Sequence, residues 1–330
     1  MKHTIVSVAK DLGLAPSTVS KAINNTGSIT EETRNRVLDY VNEIGFVPNS
    51  SARILKSRRS YLIGLIYSDI SLEGLEHPFF AGILQSFNNT LQEKGYETAF
   101  AATKIGNRSL SYLEWCRNKQ VDGVLIVTGN INNEMIQELV KSEIPCVSTD
   151  ILMDKLTTVI SNNNQGMETI MHYALKSYKK IYYVSGPHTS YSFNERLLKY
   201  IEIMDKNNRE IIYEVSNGFN IEHGEEVTSR ILKRGIPDCI VCGSDILAIG
   251  VIKTLEKNNI KVPNDISVIG FDDINLAGIY SPSLTTIRQD RKKIGKLAAE
   301  ELIKIIENKE KKTTKVLRVP VEFVKRSSTT

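Results

Sequence analysis

Asp272 and Asp273 are neighbouring carboxylates that follow the apolar run Ser267–Gly270. Paired acids at a strand end can hold a metal, act as acid and base, or accept hydrogen bonds from the hydroxyls of a polar ligand. Arg196 stands on a helical stretch after the Ser185–Gly186–Pro187 turn, where a guanidinium can pair with ligand oxygens. Taken alone it reads more simply as a surface arginine. Cys239 and Cys242 form a C-x-x-C inside an apolar, strand-like stretch, where side chains three apart point to opposite faces. No second ligand pair stands at zinc spacing, so they read as buried strand cysteines. With Cys116 and Cys146 they make four cysteines, too few for a disulfide framework in a chain of 330 residues. The five histidines, His3, His77, His172, His188 and His223, are scattered. None of G-x-G-x-x-G, G-x-x-x-x-G-K-[ST], G-x-S-x-G or H-E-x-x-H occurs. The expectation is a protein that is not an enzyme and carries no metal or cofactor.

A different chemistry is written near the N-terminus. Ser17, Thr18, Ser20, Lys21 and Asn24 are small hydrogen-bonding residues and one cation, suited to phosphates and to base edges in a major groove. They fall on the outward face of a short helix that starts at Pro16 and buries Val19, Ala22 and Ile23. Before it, Ile5, Val8, Ala9 and Leu12 form one apolar stripe, with Thr4 as cap and Gly13 at the end. After it, Thr30 caps a third helix whose stripe is Val37, Leu38, Val41 and Ile44. Only residues 13–15 separate the first two helices, the spacing of a helix-turn-helix. A generic three-helix bundle would share the pattern, but charge favours DNA. Residues 1–60 carry nine basic and five acidic side chains, and the remainder is balanced, so the whole net charge of +4 lies in this module.

The length suits two or three domains, and 41% hydrophobic with 24% charged residues is the balance of a globular protein with a real core. No apolar run approaches the ~20 residues of a membrane helix, and Lys10 and Asp11 interrupt any signal-peptide core. The expected location is the cytoplasm. Residues 49–57 can form about two helical turns, too short to stand alone in water. From Tyr61 onward strand-like runs alternate with helical ones. Strands are expected at Leu62–Tyr67, Glu97–Ala101, Val124–Val127, Cys146–Ser148, Ile181–Val184, Ile211–Val215, Cys239–Cys242 and Ser267–Gly270. Helices between them include Phe79–Lys94, Leu110–Lys119, Gln165–Ser177, Glu195–Lys206 and Ile221–Arg234. This alternation indicates doubly wound parallel sheets, enough for two, with ligands at the strand C-terminal ends.

The N-terminal stretches T-I-V-S-V-A-K-D-L-G-L-A-P-S-T-V-S-K-A-I-N-N (Thr4–Asn25) and T-E-E-T-R-N-R-V-L-D-Y-V-N-E-I-G-F-V-P-N (Thr30–Asn49) closely resemble the LacI/GalR family of bacterial transcription regulators. In the body H-P-F-F-A-G (His77–Gly82), V-D-G-V-L-I (Val121–Ile126), S-D-I-L-A-I-G (Ser244–Gly250), D-I-S-V-I-G-F-D-D-I (Asp265–Ile274) and S-P-S-L-T-T-I-R-Q-D (Ser281–Asp290) carry the resemblance on.

The resemblance implies a helix-turn-helix domain at 1–48, a hinge helix and linker at 49–60, and a periplasmic-binding-protein-like core at 61–330. The core would have one subdomain of about 61–160 and 291–318 and another of about 161–290 and 319–330. It implies a homodimer that binds a pseudopalindromic operator in double-stranded DNA, and an effector held between the subdomains. By position Pro16, Ser17 and Lys21 correspond to base readers, and Thr18, Ser20 and Asn24 to phosphate contacts. Thr4 joins the DNA contacts, as do Asn49, Ala52, Leu55 and Lys56 in the hinge, with Leu55 wedged into the minor groove. Phe79, Phe80, Asp150, Ser192, Arg196, Phe219 and Asp272 fall where the family places effector contacts, a set suited to a sugar or sugar derivative. Several positions depart from the pattern. Ala15 replaces a usual Ser at the second helix's cap, Ser7 a usual Asp, Asn162 a usual Asp and Lys199 a usual Gly, and residues 71–76 look inserted. The alternative is a solute-binding protein of a transport system, which would lack the basic helix-turn-helix.

Overall fold

The computed structural model describes residues 3–23, 26–46, 59–68, 77–308 and 313–330. Asn24, the insertion at 71–76 and the hinge positions Asn49, Ala52, Leu55 and Lys56 lie outside the described residues. Two compact units divide the chain, Met1–Tyr61 and Leu62–Thr330.

The first unit is three helices, α1 (Ile5–Asp11), α2 (Pro16–Ile23) and α3 (Glu31–Glu43). Thr4 and Ser7 close a capping box on α1. The Thr4 hydroxyl accepts from the Ser7 amide at 3.1 Å, and the Ser7 hydroxyl from the Thr4 amide at 2.9 Å. Ser7 thus supplies the acceptor that a carboxylate would otherwise supply. Gly13, with φ of +67°, makes the turn that lets α2 fold back. Val8, Ala9, Val19, Ala22, Val37, Val41 and Phe46 form one core. Arg36 donates to the Leu12 carbonyl at 2.9 Å, and the Tyr40 hydroxyl donates to Asp11 at 3.0 Å, tying α3 to the end of α1.

In the second unit the elements follow as β1 (Leu62–Tyr67), α4 (Pro78–Glu93), β2 (Glu97–Phe100), the hairpin β3 (Lys104–Ile105) and β4 (Arg108–Ser109), α5 (Tyr112–Lys119), β5 (Gly123–Thr128), α6 (Glu134–Lys141), β6 (Cys146–Ser148) and β7 (Thr157–Ser161). Then come α7 (Asn163–Ser177), β8 (Ile181–Ser185), α8 (Tyr191–Lys206), β9 (Ile212–Val215), α9 (Ile221–Ile231), β10 (Cys239–Cys242), α10 (Asp245–Lys257), β11 (Ser267–Ile269), α11 (Asn275–Ile279) and β12 (Thr286–Gln289). The chain closes with α12 (Arg291–Asn308), β13 (Lys315–Val319) and β14 (Val321–Val324).

Two parallel sheets result. The first has the order β13-β7-β6-β5-β1-β2 and the second β11-β10-β8-β9, while β12 and β14 pair as an antiparallel ribbon. Strands covered on both faces read as unbroken apolar runs, as in the fully buried β5 and β10. Cys239 packs with Met167, Tyr183 and Phe271 on one face of the second sheet, and Cys242 with Tyr182, Val184 and Leu247 on the other. Both are free thiols whose burial pushes them well above the ordinary value. The helices α9 and α10 cross closely, because a Cβ on Gly250 would lie 2.8 Å from the Gly224 Cα. Three connections pass between the two sheets, from β7 into α7, from β12 into α12, and from β13 through Pro320 into β14.

Some boundaries differ from the sequence expectation. The helix carrying Arg196 starts at Tyr191 rather than Glu195, so Arg196 lies in its second turn. α5 starts at Tyr112 rather than Leu110, and α7 at Asn163 rather than Gln165, where the Asn162 side chain caps it by accepting from the Gln165 amide. The segment expected as a helix over Ile221–Arg234 ends in a 3-10 turn, Leu232–Arg234.

Candidate functional site

The C-terminal ends of both sheets face one cleft. From the first sheet come Thr128 at the end of β5, Asp150 after β6, and His77, Phe79 and Phe80 at the start of α4. From the second come Ser192, Phe193 and Arg196 on α8, Phe219 after β9, Ser244 at the start of α10, and Asp272 after β11. All seven residues carried over as effector contacts line this inner end, a space of about 50 Å³. It opens into a mouth of about 280 Å³ that includes Ser68, Asn130, His188, Ser216 and Asn217. No Asp, Glu, Lys or Arg lines that mouth among the described residues. Thr128, Ser190 and Phe219 belong to both spaces.

Arg196 is not a surface arginine. It is 4% exposed, its guanidinium lying over the Phe271 ring at 3.7 Å and near the Phe193 ring at 5.7 Å. Its Nε donates to Asn163 Oδ1 at 2.8 Å, and its Nη1 to the Gly243 carbonyl at 2.6 Å. The simple reading fails because α8 presents this position to the cleft, whereas Lys199, three residues on, pairs with Glu202 at 2.7 Å and Glu168 at 3.4 Å outside it. Asp272 sits 3.8 Å from Arg196 and accepts from Gln289 Nε2. Its φ of +131° and the +52° of Asp273 are left-handed backbone at two non-glycine residues, the kind of strain that gathers at binding sites. Burial pushes the Asp272 carboxyl up to about 8 against the pull of Arg196, and burial also lowers Arg196. A guanidinium keeps its proton in a protein, so Asp272 is the member that titrates. Asp273 takes no part in the cleft; it pairs at 2.6 Å with both Arg288 and Arg326.

Asp150 joins the two sides. Its Oδ2 accepts from the Thr128 hydroxyl and its Oδ1 from the Ser192 hydroxyl, each at 2.8 Å. Aromatic contacts bridge the same gap: His77 meets Phe219 edge-on at 5.5 Å and Phe80 at 5.2 Å, and Phe219 stacks on Phe193 at 6.2 Å. A carboxylate, a guanidinium, hydroxyls and ring faces together can satisfy the hydroxyls and the apolar face of a polyol. His77, Thr128, Phe193 and Ser244 were not singled out as site residues from sequence. The aromatic H-P-F-F run was the available signal for His77, whereas Thr128 and Ser244 are ordinary strand-end and cap residues.

In the first unit Pro16, Ser17 and Lys21 are exposed on α2, Thr18 and Ser20 half-buried, while Val19 and Ala22 face the core. Thr4 is exposed at the start of α1, its hydroxyl engaged in the capping box. Ala15 offers α2 no side-chain cap; its carbonyl accepts from the Thr18 and Val19 amides at 2.9 and 3.2 Å.

Residues 4–49 match the family described as bacterial regulatory proteins, lacI family, and residues 165–329 a periplasmic binding protein-like domain. The chain is 30% identical over 338 residues to the HTH-type transcriptional regulator DegA of Bacillus subtilis (strain 168), spanning 100% of this chain and 98% of that protein. It is 32% identical over 318 residues to the HTH-type transcriptional repressor PurR of Photobacterium profundum, spanning 93% and 92%. The Lac repressor dimer bound to operator and the anti-inducer ONPF shares the fold, with a TM-score of 0.82 at 24% identity over 100% of this chain and 99% of that one. A LacI family transcriptional regulator from Enterococcus faecium with bound ribose has a TM-score of 0.69 at 25% identity, covering 81% of this chain and 98% of its own.

Proposed function

The chain belongs to the LacI family of bacterial regulatory proteins, and we propose that it is a transcriptional repressor whose operator affinity is set by a sugar or sugar derivative bound in the cleft. It acts as a homodimer on a pseudopalindromic site in double-stranded DNA, in the cytoplasm, without catalysing a reaction. Pro16, Ser17 and Lys21 read bases, Thr18, Ser20 and Asn24 hold phosphates, and Thr4 joins the DNA contacts, as do Asn49, Ala52, Leu55 and Lys56 of the hinge, with Leu55 wedged into the minor groove. The observation that carries the effector half is the convergence of Asp150, Arg196 and Asp272, each about 5% exposed or less, with Phe79, Phe80 and Phe219 at the inner end of the cleft between two sheets. Buried charges need partners. Asp150 is held by the Thr128 and Ser192 hydroxyls, groups that ligand hydroxyls can replace. No helix among the described residues is long and apolar enough to cross a membrane.

The test is selection of an operator from random DNA with the full-length protein, followed by titration with a sugar panel including D-ribose and cellobiose. A palindromic consensus whose affinity shifts tenfold or more with one sugar is the expected result. Sugar binding without DNA sequence preference would return the solute-binding alternative. Sequence-specific binding that no sugar alters would remove the effector half.

A further inference from the structure

Arg196 is tied to something beyond its pocket. Asn163, fully buried at the start of α7, accepts from Arg196 Nε through Oδ1 and donates through Nδ2 to Glu195 Oε2 at 2.9 Å. One amide therefore bridges the neighbouring residues Arg196 and Glu195, and only one orientation serves both, since a flipped amide would set N–H against N–H. Glu195 in turn receives a fork from Arg318, Nη2 to Oε1 at 2.6 Å and Nη1 to Oε2 at 3.0 Å. Tyr191 donates to Glu195 Oε1 at 3.1 Å. Arg318 lies on β13, the edge of the first sheet, two residues before the Pro320 connection; Glu195 lies on α8 of the second. An unbroken run of hydrogen bonds thus leads from the Gly243 carbonyl through Arg196, Asn163 and Glu195 to the opposite sheet.

We propose that Asn163, Glu195 and Arg318 are positioning residues that fix the Arg196 guanidinium and carry its occupancy to the contact between the two sheets. This rests on the reading of the cleft as the effector site. Glu195 has a side chain only 10% exposed, and burial raises its carboxyl while the bonds from Arg318 and Asn163 outweigh that and hold it below the ordinary value. Its charge is therefore kept by a residue of the other sheet, and moving the sheets apart strips it. In the other direction, a ligand oxygen that draws Arg196 off Asn163 frees the amide that helps to hold Glu195. The two sites bias one element, which is the physical requirement for coupling.

The experiment uses the full-length protein and its selected operator. Amide exchange is followed without ligand in wild type, Arg318→Gln, Arg318→Lys and Asn163→Ala. Operator affinity is measured for each without ligand and with the same sugar panel. Arg318→Gln should speed exchange several-fold in the first turns of α8 and α7 while α1–α3 and α10 keep wild-type rates. It should also move ligand-free operator affinity several-fold and shift the midpoint of the sugar response. Arg318→Lys should recover part of each effect, since a point charge serves one oxygen and not the fork. Unchanged exchange in α7 and α8 would overturn the tie. Faster exchange with wild-type operator affinity and wild-type sugar response would overturn its role in transmission. If wild type itself responds to no sugar, the effector reading fails first and is recognised as such, because ligand-free affinity still reports on the tie.

Discussion

Arg196 and Asp272 face each other 3.8 Å apart with 5% side-chain exposure each, yet neither makes its shortest bond to the other. Arg196 spends its donors on Gly243 and Asn163, and Asp272 accepts from Gln289. Removing one member of a buried pair ordinarily costs about 3–5 kcal/mol because the other charge is stranded. The two members are not equivalent here. Asp272 can take up a proton when Arg196 is lost, whereas Arg196 cannot shed one when Asp272 is lost. Asp272→Ala should therefore destabilise the core by ~3 kcal/mol and Arg196→Ala by less, in urea unfolding above about pH 8, where the Asp272 carboxyl is ionised. Asp272→Asn, which keeps an acceptor for Gln289, should fall between wild type and Asp272→Ala. Equal losses in the two alanine variants would show that Arg196 does not depend on Asp272. Both alanine variants should bind operator but lose the effector response.

Two buried acids set the pH dependence. Burial pushes Asp245 up to about 7 and Asp272 up to about 8, from an ordinary value of 3.8. Between about pH 4 and those values the folded chain holds protons that the unfolded chain has released. Stability is then greatest at the low end and is lost as pH rises, by at most about 1.4 kcal/mol per pH unit for each group. Glu195, Glu225 and Glu301 are shifted below their ordinary value and act in the opposite sense only under more acidic conditions. Urea midpoints should accordingly fall between pH 5 and pH 8. Asp245 accepts from the Ile274 amide and the Thr286 hydroxyl, and an amide can serve the first and donate to the second. Asp245→Asn should fold and flatten the slope. Asp245→Ala, leaving both groups unpaired, should cost ~2 kcal/mol or more. A slope unchanged in Asp245→Asn would assign the pH dependence elsewhere.

Much of this architecture is legible in the chain, and the gaps have physical causes. The three N-terminal helices show their stripes because each has one buried face, and β1, β5, β8 and β10 show as apolar runs because both their faces are covered. By contrast β7 (T-T-V-I-S), β12 (T-I-R-Q) and β13 (K-V-L-R-V) mix polar with apolar residues, and the pairings of β13 with β7 and of β12 with β14 join distant parts of the chain. Local preference carries no trace of such pairing. The sequence pattern starts this helix only at Glu195 because Ser, Asn and aromatics are weak helix formers, yet packing of Phe193 and the Ser192–Asp150 bond draw the first turn of α8 into the cleft. Arg196 shares its helix with the solvent-facing Lys206 and Glu202, so pattern alone leaves its side of the helix open. Asn163 acquires meaning only through Arg196 and Glu195, and Arg318 only through Glu195, and no local motif marks either.

DNA affinity should fall as salt rises, because each neutralised phosphate releases counterions. Lys21 is exposed on α2 and is proposed as a base reader, so Lys21→Ala should relax base preference at one operator position, at a cost of about 1–3 kcal/mol. Ser20→Ala should weaken all sequences alike. Binding to operator and to scrambled DNA, titrated over a salt series, separates the two effects. A Lys21→Ala loss that is the same on both DNAs would make Lys21 a phosphate contact.

The second helix has a defect that a single substitution should repair. α2 begins at Pro16, and the residue before a proline is held in extended backbone, the conformation that a helix cap requires. Ala15 occupies that position without a side-chain acceptor, so the first-turn amides rely on its carbonyl alone, as the Thr18 and Val19 bonds show. A serine hydroxyl there can accept from the amide of Ser17 or Thr18. Ala15→Ser should therefore stabilise the N-terminal unit by ~1 kcal/mol, the usual worth of a cap. Amide exchange in α2 should slow several-fold, with α7 and α10 unchanged, because the two units are compact in themselves. Operator preference should persist, since Ser17 and Lys21 keep their place on the exposed face. Exchange in α2 at the wild-type rate would mean that Ala15 is not the cap and that α2 starts from another residue.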